Sequence, residues 1–155
     1  MERCDFKHPQ AQQGVAMVEF AIALPLLLLL LLGVAEFGRM LHQYNSLLQA
    51  NRDAVRYLAG QAWNANLGKV EINSVLLART RNIAVYGVPA PQPGKEVVPG
   101  LTTANVTVGT VGAEHVQVSI SYVFRPVIGS GLPALIGNAI PLNFPLVATT
   151  VMRGL

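Results

Sequence analysis

A chain of 155 residues has room for one domain and an anchor. Apolar residues make up 52% and charged residues 12%, half of the ~25% usual in a soluble domain. Net charge is +3, and the nine basic and five acidic residues beyond Ala35 are scattered. With few aromatics and none interleaved with basic side chains, this excludes a nucleic-acid footprint.

Residues 1–14, MERCDFKHPQAQQG, are polar and read as a short disordered leader. The apolar run VAMVEFAIALPLLLLLLLGVA follows at 15–35, with seven consecutive leucines at 26–32. A run of ~20 such residues spans a bilayer as a helix. Pro25 removes one helix hydrogen bond, and membrane helices tolerate that, so a kink or loosened turn is expected there and not a break. Glu19 is a carboxylate inside this run. It costs roughly 2.5–3.5 kcal/mol at a helix centre and less near an end, so a chain that keeps it has a use for it.

The helical period continues past the span. Phe37, Met40, Leu41, Tyr44, Leu47, Leu48, Ala54, Val55 and Leu58 form an apolar stripe opposite Arg39, Gln43, Gln49, Arg52, Asp53 and Arg56. Gly60 is the expected stop, giving a helix over 15–59 of ~65–70 Å. Residues 61–67 connect to a second helix expected over 68–86 and capped by Gly87. Trp63 packs under this turn or lies at the membrane interface, with packing preferred.

Residues 87–100, GVPAPQPGKEVVPG, are a loop. The period then changes to two: Val116, Val118, Ile120, Tyr122 and Phe124 alternate with Gln117, Ser119 and Ser121, which predicts a half-buried strand. Residues 105–111 read as its hairpin partner across the turn 112–114. Residues 126–142 return to loop, partly buried through Leu135, Ile136 and Ile140, and a last strand covers 144–153. Three antiparallel strands have a face to bury, and the two helices have apolar stripes to cover. The expected fold is α+β, a long transmembrane-plus-amphipathic helix and a second helix packed on a small antiparallel sheet.

No catalytic or cofactor pattern stands out. Gly129-Ser130-Gly131 lacks the remaining glycine of a dinucleotide loop, Gly94-Lys95 has no phosphate-loop glycine upstream, and His8, His42 and His115 are isolated. No catalytic, cofactor or metal residue is expected, nor any nucleic-acid partner.

The segment QQGVAMVEFA resembles the processing site of type IV pilin-like precursors. In that family a prepilin peptidase cuts after a glycine and leaves glutamate at the fifth mature position. The resemblance implies a cut between Gly14 and Val15, with Glu19 fifth and Cys4 removed with the leader. The wider run GVAMVEFAIALPLLLLLLLGVAEFGR is similar to TadE-like proteins of the tight-adherence (Flp pilus) system, with their Val-Glu-Phe-Ala core (residues 18–21), Leu-Pro-Leu step (24–26) and a further Glu-Phe (36–37). Residues 82–87, NIAVYG, also resemble the family. The match is dense over 13–39 and weaker beyond.

The implied organisation is a cleaved leader (1–14), a transmembrane segment (15–35), an amphipathic helical region (36–86) and a loop-rich β region completing a periplasmic domain (87–155). The implied function is that of a pseudopilin, a non-enzymatic assembly subunit of Flp-type pili in adherence and biofilm formation. Its N-terminus is expected in the cytoplasm, its span in the bacterial inner membrane among lipid, and its domain in the periplasm, associated with the pilus. Implied partners are the prepilin peptidase, the major pilin, sister pseudopilins and the inner-membrane Tad secretion platform. Glu19 and Phe20 are the expected assembly contacts. After cleavage, the Val15 ammonium and Glu19 are about one turn apart on one helix, too far for an ideal contact, but they can pair between staggered neighbours.

Two other readings compete. One is a single-pass anchor with a periplasmic interaction domain and no filament role. The other is a secretory signal cut after Ala35. The apolar run exceeds the 7–15 residues usual for such a signal, and an export signal has no need of Glu19.

Overall fold

A computed structural model of the chain describes residues 10–127, 131–132, 140–141 and 143–155, with side chains from Gly14 onward and none over 128–142. The architecture is α+β, as the periodicities imply. Helix α1, Gln10–Ala62, runs 53 residues and contains Pro25 without a break, a length of ~80 Å. It begins before Val15, so residues 10–14 of the expected disordered leader are helical. The rest of that leader, residues 1–9, lies outside the described residues.

Gly60 does not stop α1. A glycine in a helix interior costs only ~1 kcal/mol relative to alanine. Here Ala59 and Ala62 on either side of it are buried against the core, which holds the last turn in place. The helix ends where β1, Trp63–Asn64, turns back to pair antiparallel with β2, Lys69–Val70. This small ladder also corrects the expected start of the second helix. Residues 68–73 are turn, strand and cap, and α2 is Ser74–Tyr86. Asn73 caps it, its side chain accepting from the Leu76 N–H at 2.8 Å, and Gly87 ends it in the left-handed conformation, φ 74°. The helical spacing upstream of Ser74 was too short to outweigh strand pairing. Trp63 packs against the core, at the end of α1 far from the apolar span.

The loop after Gly87 leads through a short 3-10 turn, Thr103–Asn105, into β3, Val106–Val111. β3 pairs with β4, His115–Val123, across a tight turn that has Gly112 at φ 68°. The last strand, numbered β7, is Pro145–Arg153 and pairs with the other edge of β4, so the sheet order is β3-β4-β7, all antiparallel. Between them, β5, Gly131–Leu132, pairs with β6, Ile140–Pro141. The expectation of loop throughout 126–142 is corrected to that extent, since strands of two residues are too short for alternation to register. Leu135 and Ile136, and the burial of Ile140, lie outside the described residues.

Val116, Val118, Ile120 and Tyr122 of β4 all face inward, as the alternation requires, together with Val106, Leu146 and Ala148 of its neighbours. They pack on Leu47, Ala54, Val55 and Leu58 of α1 and on Leu76, Ile83 and Val85 of α2. β4 descends and β7 ascends alongside α1, and three contacts set the height of each. The Leu155 N–H donates to the Ala59 carbonyl at the top, at 3.0 Å. Asn51 Nδ2 donates to Thr150 Oγ1 in the middle, at 2.9 Å. The Val127 N–H donates to Glu36 Oε1 at the base. The segment that follows β4 therefore meets α1 at the level of Glu36, one residue beyond the apolar run.

Candidate functional site

The residues singled out by the sequence lie together on the first turns of α1. Gly14, Val15, Val18, Glu19 and Ile22 share one helix face, as their spacing of about one turn demands. All are exposed, Val15 at 69% and Ile22 at 74%. Phe20, also exposed, stands beside this face at 57%. The most apolar stretch of α1 has none of its residues buried inside the chain, and the helix is long and apolar enough to cross a membrane. Glu19 makes no ion pair or side-chain hydrogen bond among the described residues.

The second part of the site is at the neck, and sequence reasoning missed it. Glu36 is buried, 5% exposed. Its Oε1 accepts from the Val127 N–H and from Arg39 Nη2 at 3.2 Å. The same Arg39 nitrogen donates to the Arg125 carbonyl, and the guanidinium lies 5.1 Å from the Phe124 ring centroid. Phe124 in turn stacks on Phe144, centroids 6.4 Å apart. A carboxylate and a guanidinium one turn apart on α1 thus hold residues 125 and 127, where the chain leaves the sheet.

This geometry corrects the expected stripe. Phe37 and Leu41, placed on the buried face, are 58% and 43% exposed. Gln43, placed on the solvated face, is buried at 7% with its Oε1 unpartnered among the described residues. The packed face runs Glu36, Met40, Gln43, Leu47, Ala50, Ala54, Leu58. That series has the helical spacing of three and four and was legible, but reading apolar type alone shifted it onto Phe37. Arg52, Asp53 and Arg56 are exposed as expected.

Among the described residues no three His, Cys, Asp or Glu side chains group as a metal site. His42 and His115 are exposed, and His8 lies outside the described residues. The site presents one carboxylate on an apolar helix surface, and a braced joint where that helix enters its domain.

Residues 14–56 match the family model of TadE-like proteins. The matched segment begins at Gly14 and takes in Glu19, Pro25, Glu36 and Arg39. No curated protein and no solved structure matches the chain.

Proposed function

We propose that this chain, TadE-like over residues 14–56, is a pseudopilin: a membrane-anchored subunit that acts in the assembly of Tad (Flp-type) pili and performs no catalysis itself. The observation that carries the reading is Glu19, exposed on a helix that buries none of its most apolar stretch in its own domain. A charge in that setting favours a lipid-phase partner of opposite sign, because leaving it alone is costly. A prepilin peptidase cut after Gly14 creates that partner, the Val15 ammonium. Val15 and Glu19 share a face but lie one turn apart, so the pair forms between adjacent helices staggered by about a turn. Glu19 then sets register, and Phe20 with the leucines supplies packing surface. Partners are the major pilin, sister pseudopilins and the inner-membrane Tad platform. The proposed organisation is a leader over 1–14, a span over 15–35 with its N-terminal side cytoplasmic, and a periplasmic domain made of residues 36–86 and 87–155.

N-terminal sequencing of the native protein tests this directly. Val15 is the expected first residue. A mature chain that still begins at Met1 favours the single-pass anchor without a filament role, and one that begins at Glu36 favours an exported product. Gly14→Ala should trap the precursor, and Glu19→Ala should abolish piliation while the distal domain stays folded. Normal pili in both variants would count against the mechanism.

A further inference from the structure

We propose that the base of the distal domain rests in the headgroup layer of the bilayer that α1 enters, with Val127 and Phe144 at the acyl boundary and Arg125 on lipid phosphate. This rests on the reading of residues 15–35 as a membrane span. The occupant is the bilayer because of where the surface lies. The apolar run ends at Ala35, and the Val127 N–H is bonded to Glu36, the next residue. A helix rises only ~1.5 Å per residue, so the latched segment sits at the level where the span leaves the hydrocarbon.

The composition of the base suits that position. Val127 is 73% exposed, Phe37 58% and Phe144 39%, and Arg125 is exposed. Of the charged groups at the base, the Glu36 carboxylate is taken up by Val127 and Arg39. Arg125 has no ion pair among the described residues, which leaves the face positive and complementary to phosphate. Apolar side chains interspersed with arginine are the composition of interfacial segments, with the apolar groups entering the acyl boundary and the cations remaining at headgroup depth.

The test uses the full chain with Cys4→Ser and one introduced cysteine, carrying an environment-sensitive dye, at Val127, Leu28 or Asn66. Each variant is reconstituted in phosphatidylcholine liposomes with and without phosphatidylglycerol. The expected result is blue-shifted emission at Val127, quenched by a lipid spin-labelled near its headgroup. Leu28 should be quenched by a deeply labelled lipid, and Asn66, in the turn at the top of the domain, should show neither effect. Arg125→Gln should reduce quenching at Val127 in the phosphatidylglycerol liposomes. A water-like, unquenched Val127 beside a quenched Leu28 overturns the inference and leaves the span intact. If Leu28 is also unquenched, the anchor reading fails with it. Blue-shifted emission at Val127 that no lipid quenches and that grows with the number of chains per liposome assigns the face to a second copy, and so overturns the bilayer. Unchanged quenching in Arg125→Gln removes the phosphate contact.

Discussion

Glu36 on α1 accepts a hydrogen bond from the main-chain N–H of Val127, joining residues 91 positions apart at the point where the apolar helix becomes part of a domain. A hydrogen bond to a charged group contributes ~1.5–3 kcal/mol, and a buried donor left without its acceptor costs a comparable amount. Glu36→Ala should therefore destabilise the domain by about 2–3 kcal/mol and speed hydrogen exchange at the Val127 amide. Glu36→Gln keeps an acceptor and should lose less. Arg39→Ala should be milder still in thermal melts, since its side chain is 34% exposed and solvent screens the pair. An unchanged Val127 exchange rate in Glu36→Ala would show that the latch does not hold this segment.

Asn51 is fully buried on α1, donates to Thr150 Oγ1 at 2.9 Å and leaves its Oδ1 unpartnered among the described residues. Removing one partner strands the other, whereas replacing both by apolar groups of similar shape is close to neutral. Asn51→Ala should cost about 1–3 kcal/mol in denaturant unfolding, with a cavity adding to the lost bond. The pair Asn51→Leu with Thr150→Val should recover most of that. A double variant as unstable as Asn51→Ala would mean that the bond itself, and not its satisfaction, holds the helix on the sheet.

These two contacts mark where the sequence was legible and where it was not. The period-two pattern of β4 is a one-dimensional signal and was read correctly to the residue face, as was the Gly87 cap. The apolar run and Glu19 are equally local. Glu36, Gln43 and Asn51 are polar residues on a packed face, and Glu36 and Asn51 find their partners 91 and 99 positions away, where no local pattern announces them. A stripe read from apolar type alone passes over them. The β1–β2 ladder was hidden for another reason: two-residue strands carry no period, and Asn64 builds their turn through its side chain, accepting from the Asn66 N–H at 3.0 Å.

Glu96 tests a loop contact through pH. The Gly94 N–H donates to its carboxylate at 2.9 Å, and this bond, followed by one from its own N–H, holds the carboxyl below the usual carboxylate value. A depressed folded value means that the contribution is present above the unfolded value and is lost as pH falls through the folded one. An NMR titration should place the Glu96 midpoint below that of a glutamate peptide. Glu96→Gln should flatten only the acid limb of the stability profile. A peptide-like midpoint would mean that the loop does not hold this bond in solution.

Gly154 lies where an added Cβ would approach Val70 Cγ1 at 2.5 Å. Gly154→Ala should therefore cost about 1–3 kcal/mol by overpacking the junction of the last strand with β2. Val70→Ala in the same chain should relieve part of it. Non-additive unfolding energies in the double variant are the expected signature of contact between the two positions.

Gly60 and Gly87 separate two roles of glycine that look alike in sequence, since each was expected to end a helix. Neither position has any atom within 4 Å of an added Cβ, so packing does not enter. Gly60 lies inside α1 with ordinary helical backbone, and Gly60→Ala should stabilise the protein by about 0.5–1 kcal/mol through reduced freedom of the unfolded chain. Gly87 holds φ 74° and donates its N–H to the Ile83 carbonyl at 2.9 Å. Gly87→Ala should destabilise by about 1 kcal/mol or more, because a side chain disfavours that conformation. Thermal midpoints moving in opposite directions are the expected result. A fall in Gly60→Ala as large as that in Gly87→Ala would mean that α1 ends at Gly60 in solution.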